Sequence, residues 1–257
     1  VCDINTAYAS VAGTQKHTAL TFAYAEHVEP TLQMLHMVAG GEKNFRERPF
    51  CHGGGCPIIS PLRYGQHNSE VCLESTKFGS PVWVVMAPQA GATAPAALAG
   101  TLVQVIAETL AALLLVELVH PGYPVILGPW PFVSDLRTGA MTGGSGAEAV
   151  LNAAAAQMAN WLGLPSGVPA GMADSKLPDN QAGHEKGLTV QDQMRTAVRQ
   201  CYAWSLPYGI GFNGDEAFNG RGELVDDALA RRLTMMAHDL VTYGGVIRDQ
   251  LRADLAR

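Results

Sequence analysis

The sequence predicts an α/β fold made of serial β-α units, followed by a mainly helical C-terminal segment. Short β-like runs alternate with longer helical runs over the first 190 residues. The run PVWVVMA is Val-rich and lacks polar alternation, as strands buried on both faces of a parallel sheet do. The loops that follow the strands are long and rich in Gly and Pro, and in such folds that end of the sheet is where ligands bind.

The elements follow in order. His17–Tyr24 is the first candidate strand and Val28–Ala39 the first candidate helix. Pro49–Gly54 is the second strand, running into the glycines of "HGGGC", and Gln66–Phe78 is the helix after it. Pro81–Ala87 is the Val-rich third strand. The helix Ala96–Val119 is apolar and long enough to span a bilayer. It carries Gln104, Glu108 and Glu117, however, and Gln104 and Glu108 share one helix face, so it reads as a buried helix of a layered fold. Pro124–Gly128 and helix Gly146–Leu162 come next, then strand Gly167–Gly171 and helix Asn180–Ala203. Pro207–Phe212 is a sixth strand candidate, and Leu224–Ala256 reads as one or two amphipathic helices. Repeated β-α units imply right-handed crossovers and a parallel sheet. Five or six units fall short of the eight of a closed barrel. The expected division is 1–190 as the β-α domain and 191–257 as a divergent helical segment.

Bulk properties exclude several classes. With 257 residues and 47% hydrophobic composition the chain can bury one real core. Its net charge is −6 and it has no Lys/Arg run, which argues against nucleic acid as a partner. The five cysteines form no CxxC pair, a pattern that suits reduced thiols in the cytoplasm. No signal-peptide pattern is present, no membrane association is expected, and the absence of an initiator Met suggests a fragment.

Chemistry-bearing groups concentrate in three loops. "APQAGATAPAA" follows the third strand, "GPWPFVSDLRTGAMTGGSG" the fourth and "GMADSKLPDNQAG" the fifth. Between Gly171 and Gly187 stand Asp174, Lys176, Asp179, Asn180, Gln181, His184, Glu185 and Lys186, in a chain only 16% charged. Asp179 is placed to cap a helix. Gln181, His184 and Glu185 then fall on one face of its first turns, as a site or as a solvated surface. Asp135 and Arg137 are either a local ion pair or a binding pair in a Gly-rich loop. Trp83, Trp130, Phe132 and Tyr123 read mostly as core, with Trp130 and Phe132 placed to line a pocket. "HGGGC" lacks the G-x-S-x-G elbow that an esterase needs, so its glycines read as close backbone approach at a strand end. His184-Glu185 lacks the second His of a zinc motif, and no protein-bound metal is expected.

The segments "APQAGATAPAALAGTLVQ", "SDLRTGAM", "LNAAAAQMANWLGLPS" and "DSKLPDNQAGHEKG", with "ERPF" and "CPIISPL" before them, together resemble the trimethylamine–corrinoid methyltransferase family. The resemblance covers roughly Glu26 to Thr189. It implies a TIM (β/α)8-type barrel, here incomplete. It also implies methyl transfer from a methylated amine to the Co(I) of a separate corrinoid protein. Founding members carry pyrrolysine just before the "D-x-K-x-P-D-x-Q-A-G-H-E-K" motif. Met172 stands in that place here, which resembles the non-pyrrolysine branch that demethylates quaternary amines such as glycine betaine. The sequence departs from the family after Thr189: the Gly-rich continuation is missing and "CYAWSLPYGIGFNGDEAFNG" has no counterpart.

The resemblance and loop positions make Met172, Asp174, His184 and Glu185 the candidate catalytic residues. Trp130, Asp135, Arg137, Lys176 and Gln181 are the candidate substrate-binding residues. Glu185, Asp174 and Trp130 would face the cation, while Arg137, Lys176, His184 or backbone N–H groups would take a betaine carboxylate. The expected partners are the corrinoid protein (the bearer of the cobalamin), a small methylated amine and a second copy of the chain. Two alternatives stay open: an inert barrel fragment with a structural role, and a barrel methyltransferase that uses folate.

Overall fold

The computed structural model describes residues 2–175, 177–187, 190 and 214–255. The chain divides into two compact units, Val1–Val190 and Gln191–Arg257. In chain order the first contains α1 (Cys2–Ala12), β1 (Thr18–Ala19), α2 (Val28–Val38), α3 (Glu42–Glu47) and β2 (Cys51–Gly55). The hairpin β3 (Ile58–Ile59) and β4 (Arg63–Tyr64) leads to α4 (Gln66–Lys77), β5 (Val82–Met86), β6 (Gln89–Ala90) and α5 (Leu98–Val119). Then come β7 (Val125–Pro129), β8 (Phe132–Val133), α6 (Gly146–Trp161) and α7 (180–187). The second unit contains α8 (Gly214–Ala217) and α9 (Asp227–Leu255).

β1, β2, β5 and β7 pair in that order, all parallel. A fifth stretch joins the edge: Leu127 N–H donates to Pro165 O at 2.8 Å and Gly167 N–H to Leu127 O at 2.9 Å. Among the described strands of this sheet, neighbours in space follow one another along the chain, without the reversal of a doubly wound sheet. Right-handed crossovers between adjacent strands lay their helices on one face. The core shows this directly. Val82, Val84 and Met86 of β5, with Val125 and Leu127 of β7, pack in one cluster with Cys72 of α4, Val105, Ala112 and Val116 of α5, and Ala159 of α6. Burial pushes the Cys51 and Cys72 thiols up to about 12, so both behave as small apolar groups. This is a mixed α/β fold with a parallel sheet, compatible with an arc of a barrel.

Several expectations change in detail. The PVWVVMA strand is fully buried on one face only. Its alternate residues Trp83 and Val85 point to the opposite face, with Ile126 of β7, and remain half-buried. The first strand shrinks to Thr18–Ala19; Leu20 N–H still donates to His52 O at 2.8 Å, and Ala23 N–H goes to the Asp3 carboxylate at 2.8 Å. Among the described residues, the pairing of the fifth strand is seen at Ser166 and its neighbours, including Gly167 of the expected Gly167–Gly171. Pro165 and Pro169 each lack the N–H that a ladder needs. Of the expected helix Asn180–Ala203, 180–187 and Val190 are helical and the rest lies outside the described residues, as does Pro207–Phe212. Leu224–Ala256 resolves into the single helix α9, capped by Asp226, whose Oδ1 accepts from Ala228 N at 2.8 Å and Leu229 N at 3.0 Å.

α5 meets the length and composition of a membrane span. Its polar residues have specific work instead. Glu108 is fully buried and accepts from Ser60 Oγ at 2.7 Å, Leu62 N at 3.0 Å and Gln104 Nε2 at 2.9 Å. Tyr64 O–H adds a bond to Ala111 O at 2.8 Å, so the β3–β4 hairpin is tied to the helix. The helix is not buried all round, however: Val103, Leu114 and Leu118 are exposed. α1 is not among the expected elements, although Ile4, Ala7, Tyr8 and Val11 follow the helical i, i+3, i+4, i+7 spacing. It is held by tertiary contact, through buried Ala7 and the Asp3 bond to His27 Nδ1 at 2.9 Å.

Candidate active site

The C-terminal ends of β5 and β7 carry the first two loops. Beyond the strands these loops pair with each other, since β6 and β8 run parallel in register Gln89↔Phe132 and Ala90↔Val133. Leu136 lies against Gly91, where an added Cβ would sit 2.2 Å from its Cδ2, on a backbone with φ of 86°. The two loops thus form one folded rim.

Trp130 stands where β7 leaves the sheet. Its N–H donates to Met86 O at 2.8 Å and its Nε1 to Gly167 O at 2.9 Å, so it is tied to both neighbouring strands. It meets Trp83 edge to face, with ring centroids 5.3 Å apart. The N–H edge of Trp83 rests on two glycines: a Cβ at Gly128 would lie 2.8 Å from its Nε1, and one at Gly167 3.1 Å from its Cζ2. Trp83 meets His52 at 5.2 Å, and His52 stacks on His17 at 5.0 Å with Nδ1 and Nε2 2.9 Å apart. Four rings therefore run across β1, β2, β5 and β7 on the face opposite the helical core. Burial, then the His17 charge beside it, pushes the His52 pKa down to about 4, leaving a neutral ring at neutral pH. Trp83 and His52, read from sequence as core and as strand-end geometry, thus join Trp130 in one wall. Their joining depends on strand register, which local spacing does not reveal.

Asp135 and Arg137 form the local ion pair, with Arg137 Nε 3.2 Å from Asp135 Oδ1. The Arg137 backbone N–H and then its guanidinium hold the Asp135 carboxyl below its ordinary range. The Arg137 side chain is 90% exposed, at the outside of the rim.

The third loop is held differently. Glu185 of α7 reaches back to it, its Oε2 accepting from Asp174 N at 2.8 Å and Ser175 N at 3.4 Å. Gln181 Nε2 donates to Glu185 Oε1 at 2.8 Å. These bonds, the Gln181 one foremost, keep the Glu185 carboxyl below its ordinary value. Asp179 caps α7 as expected: its Oδ1 accepts from Ala182 N at 2.8 Å and from Ser175 Oγ at 3.0 Å. Met172 and Asp174 are half-buried, His184 is exposed, and Lys176 lies outside the described residues. The structure thus brings Gln181, Glu185 and Asp174 together.

One contributor escaped the sequence reading. Glu148 of α6 is buried, and its Oε2 accepts from Gly144 N at 2.8 Å. Burial pushes its carboxyl upward, against the lowering effect of that bond. Ser145 Oγ accepts from Glu148 N at 3.3 Å, so Ser145-x-x-Glu148 is a capping-box pattern that was there to be read.

Comparison with known proteins gives this geometry its context. The family model described as Trimethylamine methyltransferase (MTTB) matches residues 1–202, a longer match than the motifs alone support at either end. Trimethylamine methyltransferase MttB of Desulfitobacterium hafniense is 37% identical over 221 residues, covering 86% of this chain and 43% of that protein. The namesake protein of Methanosarcina barkeri is 35% identical over 216 residues, covering 83% of this chain and 43% of that protein. Glycine betaine methyltransferase of Desulfitobacterium hafniense is 32% identical over 191 residues, 74% of this chain and 40% of its own length. The chain spans about two fifths of the length of these relatives. With its loops, capped helix and most of its length matched, the chain belongs to the trimethylamine methyltransferase family.

Proposed function

We propose that this chain supplies part of the active-site wall of a methyltransferase that moves a methyl group from a quaternary or tertiary methylated amine of betaine type to the Co(I) of a corrinoid protein. Its parallel layer is an arc of a TIM (β/α)8-type barrel. The observation that carries the reading is the gathering of the family's loops at one end of a parallel sheet whose strands follow chain order. In barrels of that kind the site lies at the C-terminal strand ends. The names of the relatives, trimethylamine and glycine betaine methyltransferases, point to the substrate class.

The corrinoid supplies the nucleophile and belongs to a partner, so it is a co-substrate. What remains for this chain is to bind, orient and keep water out. A quaternary ammonium already carries its charge. When its C–N bond breaks, the electron pair stays on nitrogen and a neutral amine leaves, so no general acid is required there. Trp130 and Trp83 offer aromatic faces to such a cation, and the neutral His52 ring beside them adds no repulsion. His184, Lys176, Arg137 or loop N–H groups would take a carboxylate. Met172, an ordinary side chain in place of pyrrolysine, favours a quaternary amine over trimethylamine. The cytoplasm suits this chemistry, as do the free thiols of Cys2, Cys51, Cys56 and Cys72.

The test is an anaerobic assay with a Co(I) corrinoid protein and a panel of methylamines and betaines, read as loss of the Co(I) absorbance. Turnover with one betaine would establish the reading and name the substrate. No turnover with any donor, from a chain that melts cooperatively, would overturn it in favour of a barrel segment without activity of its own.

A further inference from the structure

Residues 171–175 carry Met172 and Asp174 and take part in no strand ladder, yet they are clamped from two sides. From α7, Glu185 accepts two backbone N–H groups of the loop, at 2.8 Å from Asp174 and 3.4 Å from Ser175, while Gln181 steadies its other oxygen. From the turn before α6, two glycines press backbone against backbone. A Cβ at Gly143 would lie 3.1 Å from the Ala173 carbonyl carbon. One at Gly144 would lie 2.7 Å from Met172 O and 2.5 Å from Glu185 Cβ, on a backbone with φ of 78° that already favours glycine. That turn is itself anchored, because buried Glu148 accepts from Gly144 N and Ser145 caps the helix.

We propose that Glu185 is a positioning residue, locking residues 172–175 against the Gly143–Gly144 turn, and that its negative charge does not meet the substrate cation. A carboxylate contacting a cation should present its oxygens to the open site. Among its described bonds, Oε2 accepts from two loop N–H groups and Oε1 from the Gln181 amide, and these bonds serve the loop. Gly144 is the matching half of the lock: only a residue without Cβ lets Glu185 and the Met172 carbonyl approach so closely. The consequence for rate rests on the methyl-transfer reading; the lock itself does not.

Two variants separate charge from geometry. Glu185→Gln removes the charge but keeps a carbonyl oxygen that can accept the Asp174 N–H, and the Gln181 amide can turn to meet the new NH2. Glu185→Ala removes both. The readouts are hydrogen exchange of the Asp174 and Ser175 amides in the whole chain, and kcat and KM for methyl transfer. The lock predicts about tenfold faster exchange in Glu185→Ala, with kcat down by about the same factor and KM changed less. In Glu185→Gln most of the exchange protection and kcat return. Gly144→Ala should loosen the same two amides. If Glu185→Gln raises KM as much as Glu185→Ala, with protection intact in both, the charge contacts substrate and the proposal falls. If the parent chain transfers no methyl group, the function reading fails alone and exchange still decides: faster exchange in Glu185→Ala upholds the lock, and unchanged exchange removes it.

Discussion

The two faces of β5 divide the work of the molecule. Val82, Val84 and Met86 point into the helical layer and are fully buried, while Trp83 and Val85 point the other way and stay half-buried. The first face is aliphatic and packs in one cluster with Val105, Ala112 and Val116 of α5. The second continues into an aromatic and imidazole series, with glycines at Gly128 and Gly167 that give Trp83 its seat. Alternate residues of one strand thus divide between a buried core and the wall proposed for recognition. Stability losses should therefore concentrate on one face and binding losses on the other.

The largest effect should come from the covered face. Met86→Ala removes a fully buried side chain and should cost about 2–5 kcal/mol in urea unfolding. Val85→Ala, one residue away on the opposite face, should cost under about 1.5 kcal/mol. Equal losses would mean the second face is as well packed as the first, and the contrast would collapse.

Trp83→Leu sharpens the other half. It removes a ring that the proposed function turns toward the cation and should raise KM for a quaternary amine about three- to thirtyfold, with stability falling less than in Met86→Ala. An unchanged KM would reduce Trp83 to packing and leave Trp130 to meet the cation alone.

The smallest effect is a pH dependence. Burial and the neighbouring His17 charge hold His52 at about 4 against an ordinary 6.5. The unfolded chain takes up a proton below about pH 6.5 that the folded chain refuses. This contribution to stability is therefore complete above that pH and lost as pH falls toward 4. Discounted for partial exposure, the loss is about 1–2 kcal/mol. His52→Gln should flatten that limb of the urea midpoint against pH. An equal decline in the variant would assign the loss to other groups.

Legibility followed the range of the interaction. Helix α7 and its Asp179 cap were readable because capping joins residues three apart. Gln104 and Glu108 were readable as one helix face, and they are hydrogen-bonded at 2.9 Å. Their true partner, the β3–β4 hairpin, was not: Ser60 lies 48 residues from Glu108. His17 and His52, 35 residues apart, meet only because β1 and β2 pair in the register Ala19↔His52. Asp135 and Arg137 read as a local pair or as a binding pair, and the structure shows the two side chains ion-paired in an exposed loop. The capping box of Ser145 and Glu148 is local, but the burial of the Glu148 carboxylate against the Gly144 turn is not written in that spacing.

By itself the sequence determined the α/β class, the parallel units, the three loops and the family, since all of these are written in local periodicity and short ordered motifs. Tertiary structure alone decided which face of β5 would be covered, which rings would share a wall, and that Glu185 would turn toward the loop. Alternation along a strand defines two faces without saying what packs on either. Register and close backbone approach at Gly128 and Gly144 then bring distant residues together, and no local pattern encodes that meeting.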